Sequence, residues 1–321
     1  MLEALEAQRQ ALRAQGVNET DLPFCLYQPD FRTGLLLLHG SAATPCNHRA
    51  LGQHLLSWGY TVLAPLLAGH DRPARLNAGE VSWQDCYHSA AAALDQLSQV
   101  CERVFVVGSS FGGSLAYILG VERSEQISGL VAASAPVLSS DRWHPPNPWM
   151  QQVAGAISAA GSALPALRLP TLILHGHDDP SVKVKNAYSA FERIPALRKK
   201  LILYHGIGHA VGFGFNTPEV AEDIHQFIKS STPTRQISVV LEDQGYAQVH
   251  LAGEFNAWSA YSLPMQRQGS HWHCDFALLP GVYQYKLVLS DYAGNQSWSL
   301  DPDAETVLTP HGEYNSLLRV I

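Results

Sequence analysis

The sequence predicts an α/β fold with a doubly wound, mostly parallel sheet for residues 20–230, followed by a smaller all-β region. In the first region, short apolar runs alternate with helix-like segments, as in a sheet covered by helices on both faces. A stretch with linker composition, KSSTPTRQ, then interrupts this alternation, and the predicted linker is 231–236. Beyond it, short strand-like runs separated by Gly, Asn, Asp and Pro predict an immunoglobulin-like sandwich over 237–321.

The apolar runs of the first region are the predicted strands. They are 34–39, 60–65, 103–108, 127–133, 171–175 and 201–204. Amphipathic stretches such as 83–100 and 218–229 are predicted helices, and the polar segment MLEALEAQRQALRAQG predicts an N-terminal helix within 1–19. A short run at 24–28 is expected to start the sheet as an antiparallel hairpin with 34–39.

One interval, about 137–169, is too long for a simple connection. Its prolines exclude one long helix, so we expect a small lid made of a loop and a short helix. Five of its side chains could wall an apolar acyl pocket or simply pack the lid onto the core. They are Trp143, Pro145, Pro146, Trp149 and Met150.

Composition excludes several classes of protein. A net charge of −7 with only 15% charged residues argues against a nucleic-acid binder, which would show a basic patch. No apolar run reaches about 18 residues, so no membrane span is expected. The N-terminus lacks the apolar core of a signal peptide, which indicates a cytoplasmic protein. The five cysteines match no zinc or redox spacing, so we expect free thiols and no metal or cofactor.

The most specific chemical signal is VFVVGSSFGG. An apolar strand at 104–107 leads into Gly108-Ser109-Ser110-Phe111-Gly112, and an apolar helix follows at once. A G-x-S-x-G pattern between a strand and a helix is typical of a nucleophile elbow, which would present Ser110 at a helix N-terminus. The alternative is a glycine-rich turn without chemistry.

A serine nucleophile needs a base, and the base needs an acid. His209 follows the strand at 201–204 in a Gly-Ile-Gly turn and is the favoured base, with His205 at the strand end as its competitor. Asp178 and Asp179 both follow the strand at 171–175, and either could be the acid. The chain order Ser, Asp, His is that of α/β enzymes with an elbow.

An oxyanion intermediate requires two N–H donors. We expect one from the backbone of Phe111, directly after the nucleophile. The second is expected from the backbone of Ser41, which follows LLLLHG. Ser41 could instead serve only as a helix cap.

Residues 20–230 resemble the α/β-hydrolase superfamily, near the small-lid bacterial carboxylesterases and monoacylglycerol lipases. The matching motifs are HG at 39–40, APLLAGHD, VSWQDCYH, GSSFGG, HGHDDPSV and GIGH. In the family motif HGxxDxxV the acid is the fifth residue, so the resemblance implies Asp179. The family's GHG loop is altered here to Gly69-His70-Asp71, so the resemblance does not define the residues around the entrance to the substrate site. Thioesterases, peptidases and C–C hydrolases share the superfamily, so the triad indicates the mechanism better than the substrate.

The predicted sandwich carries AGEFNAW, LPGVYQYKLVL, Trp298 before DPD, and YNS near the end. This order resembles carbohydrate-binding module family 48, the glycogen-binding type of the AMP-activated protein kinase beta subunit. The resemblance implies glucan contacts at Trp258, Lys286, Trp298 and Asn315, whereas TPHGEY before Asn315 follows the family less closely. The alternative is a packing or dimerisation domain, in which the aromatic residues are core.

The leading hypothesis is a serine carboxylesterase acting on short- to medium-chain acyl esters, with a C-terminal module that binds α-glucan. A second hypothesis keeps the chemistry but directs it to a polysaccharide, from which acetyl or feruloyl groups are removed. A third, of another class, is a glucan-binding protein whose hydrolase domain is inactive.

Overall fold

The computed structural model describes residues 1–29, 32–138, 145–212, 216–232, 234–278 and 281–320. The chain separates into two compact units, Met1–Ser231 and Thr232–Ile321. The helix before this junction ends at Ser231 and the next strand begins at Arg235. Regular structure therefore occupies both ends of the predicted linker at 231–236. The connection between the helix and the strand is shorter than that prediction.

A seven-stranded sheet forms the centre of the first unit. Its strands are β1 Phe24–Leu26, β2 Thr33–Leu38, β3 Thr61–Ala64, β4 Arg103–Ser109, β5 Gly129–Ala133, β6 Thr171–Gly176 and β7 Lys199–Tyr204. Their order across the sheet is β1-β3-β2-β4-β5-β6-β7. All neighbours from β3 to β7 are parallel, so the carboxyl ends of these strands meet at one edge of the sheet.

The expected hairpin between 24–28 and 34–39 is wrong. β1 instead pairs antiparallel with β3, with Phe24 opposite Ala64 and Leu26 opposite Val62. The physical reason is that β2 has no free edge, since it lies between β3 and β4 and forms a parallel ladder with each.

Helices cover both faces of this sheet. They are α1 Leu2–Ala14, α2 Arg49–Ser57, α3 Pro73–Asn77, α4 Trp83–Ser98, α5 Phe111–Glu122, α6 Pro148–Ala163, α7 Lys185–Arg193 and α8 Thr217–Ser231. Alternate residues of β2 face opposite sides, so Leu36 and Leu38 pack with α4, α5 and α6, whereas Leu35 and Leu37 pack with α2 and α8. All four leucines are fully buried.

The interval predicted as a lid contains α6, a helix of 16 residues rather than a short one. Its prolines do not interrupt it, because Pro148 occupies the first helical position, where no N–H is needed, and Pro165 follows its end. The Asn147 side chain caps the helix by accepting from the Met150 N–H at 2.8 Å. Trp143 and the rest of 139–144 lie outside the described residues.

The strands described in the second unit all pair antiparallel. They are β8 Arg235–Glu242, β9 Gln248–Gly253, β10 Gln266–Gln268, β11 His271–Leu278, β12 Gly281–Ser290, β13 Gln296–Ser299, β14 Glu305–Leu308 and β15 Tyr314–Val320. One sheet has the order β10-β11-β8, and in the other β12 pairs with β9, β13 and β15. Side chains from both sheets, including Trp272 and Leu287, form one core. The prediction of an α/β fold followed by an antiparallel all-β region is confirmed.

Candidate active site

The turn between β4 and α5 has the geometry of a nucleophile elbow. The backbone of Ser110 has φ 53° and ψ −119°, a conformation that residues other than glycine rarely adopt. The flanking glycines make the turn possible. A Cβ on Gly108 would lie 2.2 Å from the Gly112 carbonyl oxygen, and one on Gly112 would lie 2.2 Å from the Leu38 carbonyl oxygen. The turn therefore depends on the absence of these two side chains.

Hydrogen bonds connect Ser110, His209 and Asp179 in a line. The distance between Ser110 Oγ and His209 Nε2 is 3.0 Å, and that between His209 Nδ1 and Asp179 Oδ2 is 2.7 Å. Because an ionised carboxylate can only accept, Nδ1 carries the proton and Nε2 accepts from the serine hydroxyl. The Asp179 side chain is fully buried, and its Oδ1 accepts from the N–H groups of Ser181 and Val182 at 2.8 and 2.9 Å.

The two competitors from the sequence lie elsewhere. Asp178 is exposed, and its Oδ2 accepts from the Gly206 N–H at 2.8 Å. His205 is exposed and its ring lies beside that of His177, with centroids 4.6 Å apart. In the described part of the chain, no hydrogen bond joins either residue to Ser110 or to its partners.

The buried His175 was not singled out in the sequence, although it opens the HGHDD segment. Its Nε2 donates to the Val182 carbonyl at 2.8 Å and lies 3.7 Å from Asp179 Oδ2. Burial lowers the pKa of His175 below 6.5, so the ring is neutral at neutral pH. It therefore fixes the loop that orients Asp179 without adding a positive charge beside the carboxylate.

The proposed oxyanion donors are the N–H groups of Ser41 and Phe111, and neither donates to another residue in the described ranges. Phe111 is the first residue of α5, where an N–H has no acceptor within the helix. His39 Nδ1 donates to the Gly40 carbonyl at 3.0 Å, and His39 Nε2 accepts from the Leu67 N–H at 3.1 Å. Because the peptide is planar, holding the Gly40 carbonyl also fixes the direction of the Ser41 N–H.

Two more side chains hold the same segment through the carbonyl of Ser41. Trp149 Nε1 donates to this oxygen at 3.1 Å, and His70 Nε2 lies 3.3 Å from it. The Trp149 ring also packs edge-on against Phe111 and His70, with centroid distances of 5.3 and 5.5 Å. The altered Gly69-His70-Asp71 loop and helix α6 thus both contact the Ser41 carbonyl, which sequence motifs did not indicate.

A cavity of about 300 Å³ adjoins this segment. It is lined by Ser41, Ala42, Ala43, Thr44, His70, Leu76, Asn77 and Trp149. The two largest apolar side chains of this lining, Leu76 and Trp149, are buried. Of the lid side chains that could wall a pocket, Trp149 lines this cavity while also packing onto the core.

The four residues of the implied glucan site line one cleft of about 930 Å³ in the second unit. The lining is Trp258, Lys286, Trp298, Thr309, His311, Glu313, Tyr314 and Asn315. Trp298 is 47% exposed and Tyr314 is 54% exposed, so both rings offer open surface. Lys286 Nζ lies 3.1 Å from Glu313 Oε2, and Asn315 Nδ2 donates to Gln284 Oε1 at 2.9 Å.

Trp258 is presented by a strained loop. Ala257 and Trp258 both have positive φ, 52° and 58°, although neither is glycine. Asn256 holds the loop, since its Nδ2 donates to the Leu251 carbonyl at 2.9 Å and its Oδ1 accepts from the Gly253 N–H at 2.9 Å. The Trp258 N–H donates to the Gly253 carbonyl at 2.8 Å, which closes the turn.

The model of the Alpha/beta hydrolase family matches residues 35–273. The chain belongs to this family. A second model, the glycogen recognition site of AMP-activated protein kinase, matches residues 238–321 of the hydrolase. The two matches overlap at 238–273, where the structure assigns the strands from β8 to β11 to the second unit. The structural division after Ser231 therefore assigns residues 238–273 to the second unit, although the hydrolase family match extends over them.

Known relatives of the hydrolase match a little more than 60% of its length. It is 25% identical over 232 residues to a thermostable monoacylglycerol lipase from Bacillus sp. (strain H-257), with 63% of this chain and 92% of that protein covered. It is 22% identical over 230 residues to a carboxylesterase from Bacillus subtilis (strain 168), with 61% and 92% covered. A solved structure of metagenome-derived lipolytic enzymes, LipS and LipT, has a TM-score of 0.62 at 22% identity, covering 67% of this chain and 99% of that one.

The same fold occurs in the monoacylglycerol lipase of Paleococcus ferrophilus, with a TM-score of 0.55 at 18% identity, covering 65% of this chain and 98% of that one. In the described ranges, no cluster of three His, Cys, Asp or Glu side chains has the geometry to hold a metal ion. Nor does any helix there have both the length and the apolar character needed to cross a bilayer.

Proposed function

We propose that the hydrolase is a serine carboxylesterase in which Ser110 is the nucleophile, His209 the general base and Asp179 the acid that orients it. The observation that carries the proposal is the continuous line of hydrogen bonds from Ser110 Oγ through the imidazole to the buried carboxylate. In such a line, Asp179 fixes the tautomer with the proton on Nδ1 and stabilises the imidazolium that forms during the reaction.

The chemistry then proceeds in two halves. Ser110 Oγ attacks the ester carbonyl while His209 Nε2 takes its proton, and the N–H groups of Ser41 and Phe111 stabilise the oxyanion. His209 returns the proton to the leaving alkoxide, and the alcohol departs from the acyl-enzyme. Water, deprotonated by the same nitrogen, attacks the acyl carbonyl, and Ser110 leaves with the proton restored.

Two observations support an ester substrate with a short or medium acyl chain. Two relatives that the chain is similar to are a monoacylglycerol lipase and a carboxylesterase. The cavity beside Ser41 is small, about 300 Å³, and Leu76 and Trp149 give it apolar walls. A compact site of this kind suits short acyl groups better than bulky triglycerides.

The decisive experiment removes the nucleophile. Ser110→Ala is expected to lower kcat for p-nitrophenyl butyrate by a factor on the order of 10⁶, as loss of the triad serine does in subtilisin. Ser109→Ala is the matched control, because Ser109 is the adjacent serine and belongs to β4. Near-normal turnover by a folded Ser110→Ala variant would refute the assignment.

We further propose that the second unit binds α-glucan. The match to the glycogen recognition model and the meeting of Trp258, Lys286, Trp298 and Asn315 in one cleft support this. Native electrophoresis through a glycogen-containing gel is the test. The wild-type chain should be retarded, Trp258→Ala should migrate freely, and Tyr188→Ala, which removes an exposed tyrosine from the first unit, should behave like the wild type.

An ester-hydrolase site and a glucan cleft on one chain also favour a second candidate, the removal of acetyl or feruloyl groups from polysaccharide. In this case Trp258→Ala should slow the release of acetate from insoluble acetylated starch but leave p-nitrophenyl butyrate turnover unchanged. Equal rates of acetate release from both proteins would show that the cleft does not direct the enzyme to such substrates.

A further inference from the structure

The cleft lies on one face of the sheet formed by β9, β12 and β13, and this face continues beyond it. In β12, Leu287 and Leu289 point into the core, so Lys286, Val288 and Ser290 point to the opposite side. We call this opposite side the glucan face. Trp298 pairs with Val288 and therefore also points to it.

Strand register places two further side chains on the glucan face. Gln296 pairs with Ser290, and His250 pairs with Val288. Each step of two residues along a strand advances by about 7 Å. Gln296 therefore lies one such step beyond Trp298, on the side away from Lys286, and is exposed to solvent.

Tyr261 lies over this part of the glucan face. Its hydroxyl donates to Gln296 Oε1 at 3.3 Å, and its ring meets that of His250 edge-on with centroids 6.1 Å apart. These two contacts hold the Tyr261 ring next to Gln296, on the same face as Trp298. Tyr261 is nevertheless 68% exposed, so most of the ring is available to a ligand.

These side chains have the chemistry of a sugar contact. A tyrosine ring offers a flat apolar surface for the C–H face of a pyranose, and its polar tip and a neighbouring amide can bond hydroxyl groups. Tyr261 also belongs to the same loop as Trp258, three residues further along the chain. A sugar chain that fills the cleft and continues past Trp298 would meet Tyr261 next.

We propose that Tyr261 and Gln296 form a further glucan subsite that extends the cleft. The preferred ligand is then a linear α-glucan chain longer than the cleft alone accommodates. This inference rests on the proposed glucan binding of the second unit. It assigns to Tyr261 and Gln296 a role in distinguishing long chains from short ones.

Isothermal titration of the full chain with maltotriose and maltoheptaose tests the subsite. The wild type should bind maltoheptaose more tightly. Tyr261→Ala should weaken maltoheptaose by about three- to tenfold, the range for loss of one aromatic contact, and leave the Kd of maltotriose unchanged. Gln296→Ala should show the same selectivity for length, whereas Tyr261→Phe, which keeps the ring, should retain most of the affinity.

The outcomes separate the two claims. If the wild type binds neither sugar, the proposed glucan binding is wrong and the subsite with it. If the wild type binds both sugars and Tyr261→Ala changes neither Kd, or changes both equally, the cleft binds glucan without this subsite. Trp258→Ala should weaken both sugars, which distinguishes loss of the cleft from loss of its extension. Thermal unfolding of each variant confirms that the fold is retained.

Discussion

Replacing Asp179 with asparagine should invert the hydrogen bonding of His209, the proposed general base. Asp179 Oδ1 accepts from the N–H groups of Ser181 and Val182, so in Asp179→Asn only the amide oxygen can occupy that position. The NH₂ group then takes the place of Oδ2 and faces His209 Nδ1, now 2.7 Å away as a donor. Nδ1 must accept, the proton moves to Nε2, and Nε2 can no longer take the proton of Ser110.

The magnitude follows from the loss of this tautomer. The same change in a Ser-His-Asp triad lowers kcat by a factor of about 10⁴, or roughly 5 kcal/mol in the activation free energy. Stability should change little, because the two backbone hydrogen bonds to the side-chain oxygen remain. KM should also change little, since Asp179 is fully buried behind His209 and has no surface to offer a substrate.

The assay is steady-state hydrolysis of p-nitrophenyl butyrate at pH 7.5. Asp178→Asn is a matched control, because the two aspartates are adjacent and Asp178 is exposed with a hydrogen bond to the Gly206 N–H instead. The control should keep nearly all activity. A large loss in Asp178→Asn together with a small loss in Asp179→Asn would refute the assignment of the acid.

Three further predictions follow from individual contacts. Trp149→Phe removes the N–H donor to the Ser41 carbonyl and replaces the indole by a smaller aromatic ring, so kcat should fall about fivefold (~1 kcal/mol); a change in KM alone would contradict this. Gly112→Ala places a Cβ 2.2 Å from the Leu38 carbonyl oxygen and should lower Tm by roughly 5 °C; an unchanged Tm would contradict the tight packing. Burial lowers the pKa of His48 from 6.5 to about 4, so its folded form resists protonation. The free energy of unfolding should therefore fall by about 2 kcal/mol more in the wild type than in His48→Gln between pH 7.5 and pH 5, as urea titrations would show.

Much of the first unit could be predicted because its parallel strands are buried on both faces. Strands of this kind appear as continuous apolar runs, and 103–108 and 171–175 coincide with β4 and β6 within one residue at each end. The pairing of β1 could not be predicted in the same way. It depends on which strands occupy the two edges of β2. One of these strands is β4, which lies some 70 residues further along the chain.

The candidate site, like the fold, could be predicted only in part from the sequence. The elbow around Ser110 could be located because a sharp strand-to-helix turn requires glycine at fixed positions. The spacing could not separate Asp178 from Asp179, since both lie in one turn and only the folded loop buries one of them. Nor could it indicate that Trp149 bonds to the Ser41 carbonyl, because this contact joins residues 108 positions apart.

In the second unit, the alternation of Trp272 with polar residues in SHWHCDF indicates a core position, whereas the sequence did not assign the other aromatic residues to the core or the surface. Trp272 and Trp298 both lie on strands next to polar residues. The structure buries Trp272 to 7% exposure and leaves Trp298 at 47%. The difference arises from strand register, which places Trp272 opposite Leu241 on the inner side and Trp298 opposite Val288 on the glucan face.

Trapping the acyl-enzyme tests the proposed role of Ser110 most directly. The hydrolase is mixed with p-nitrophenyl butyrate, quenched in acid within milliseconds, digested and analysed by mass spectrometry. The proposed mechanism predicts a butyryl group on the peptide that contains Ser110, located on Ser110 rather than Ser109, and its absence in Ser110→Ala. Full turnover with no acylated serine, or an acyl group on another residue that accumulates at the catalytic rate, would contradict the proposed mechanism.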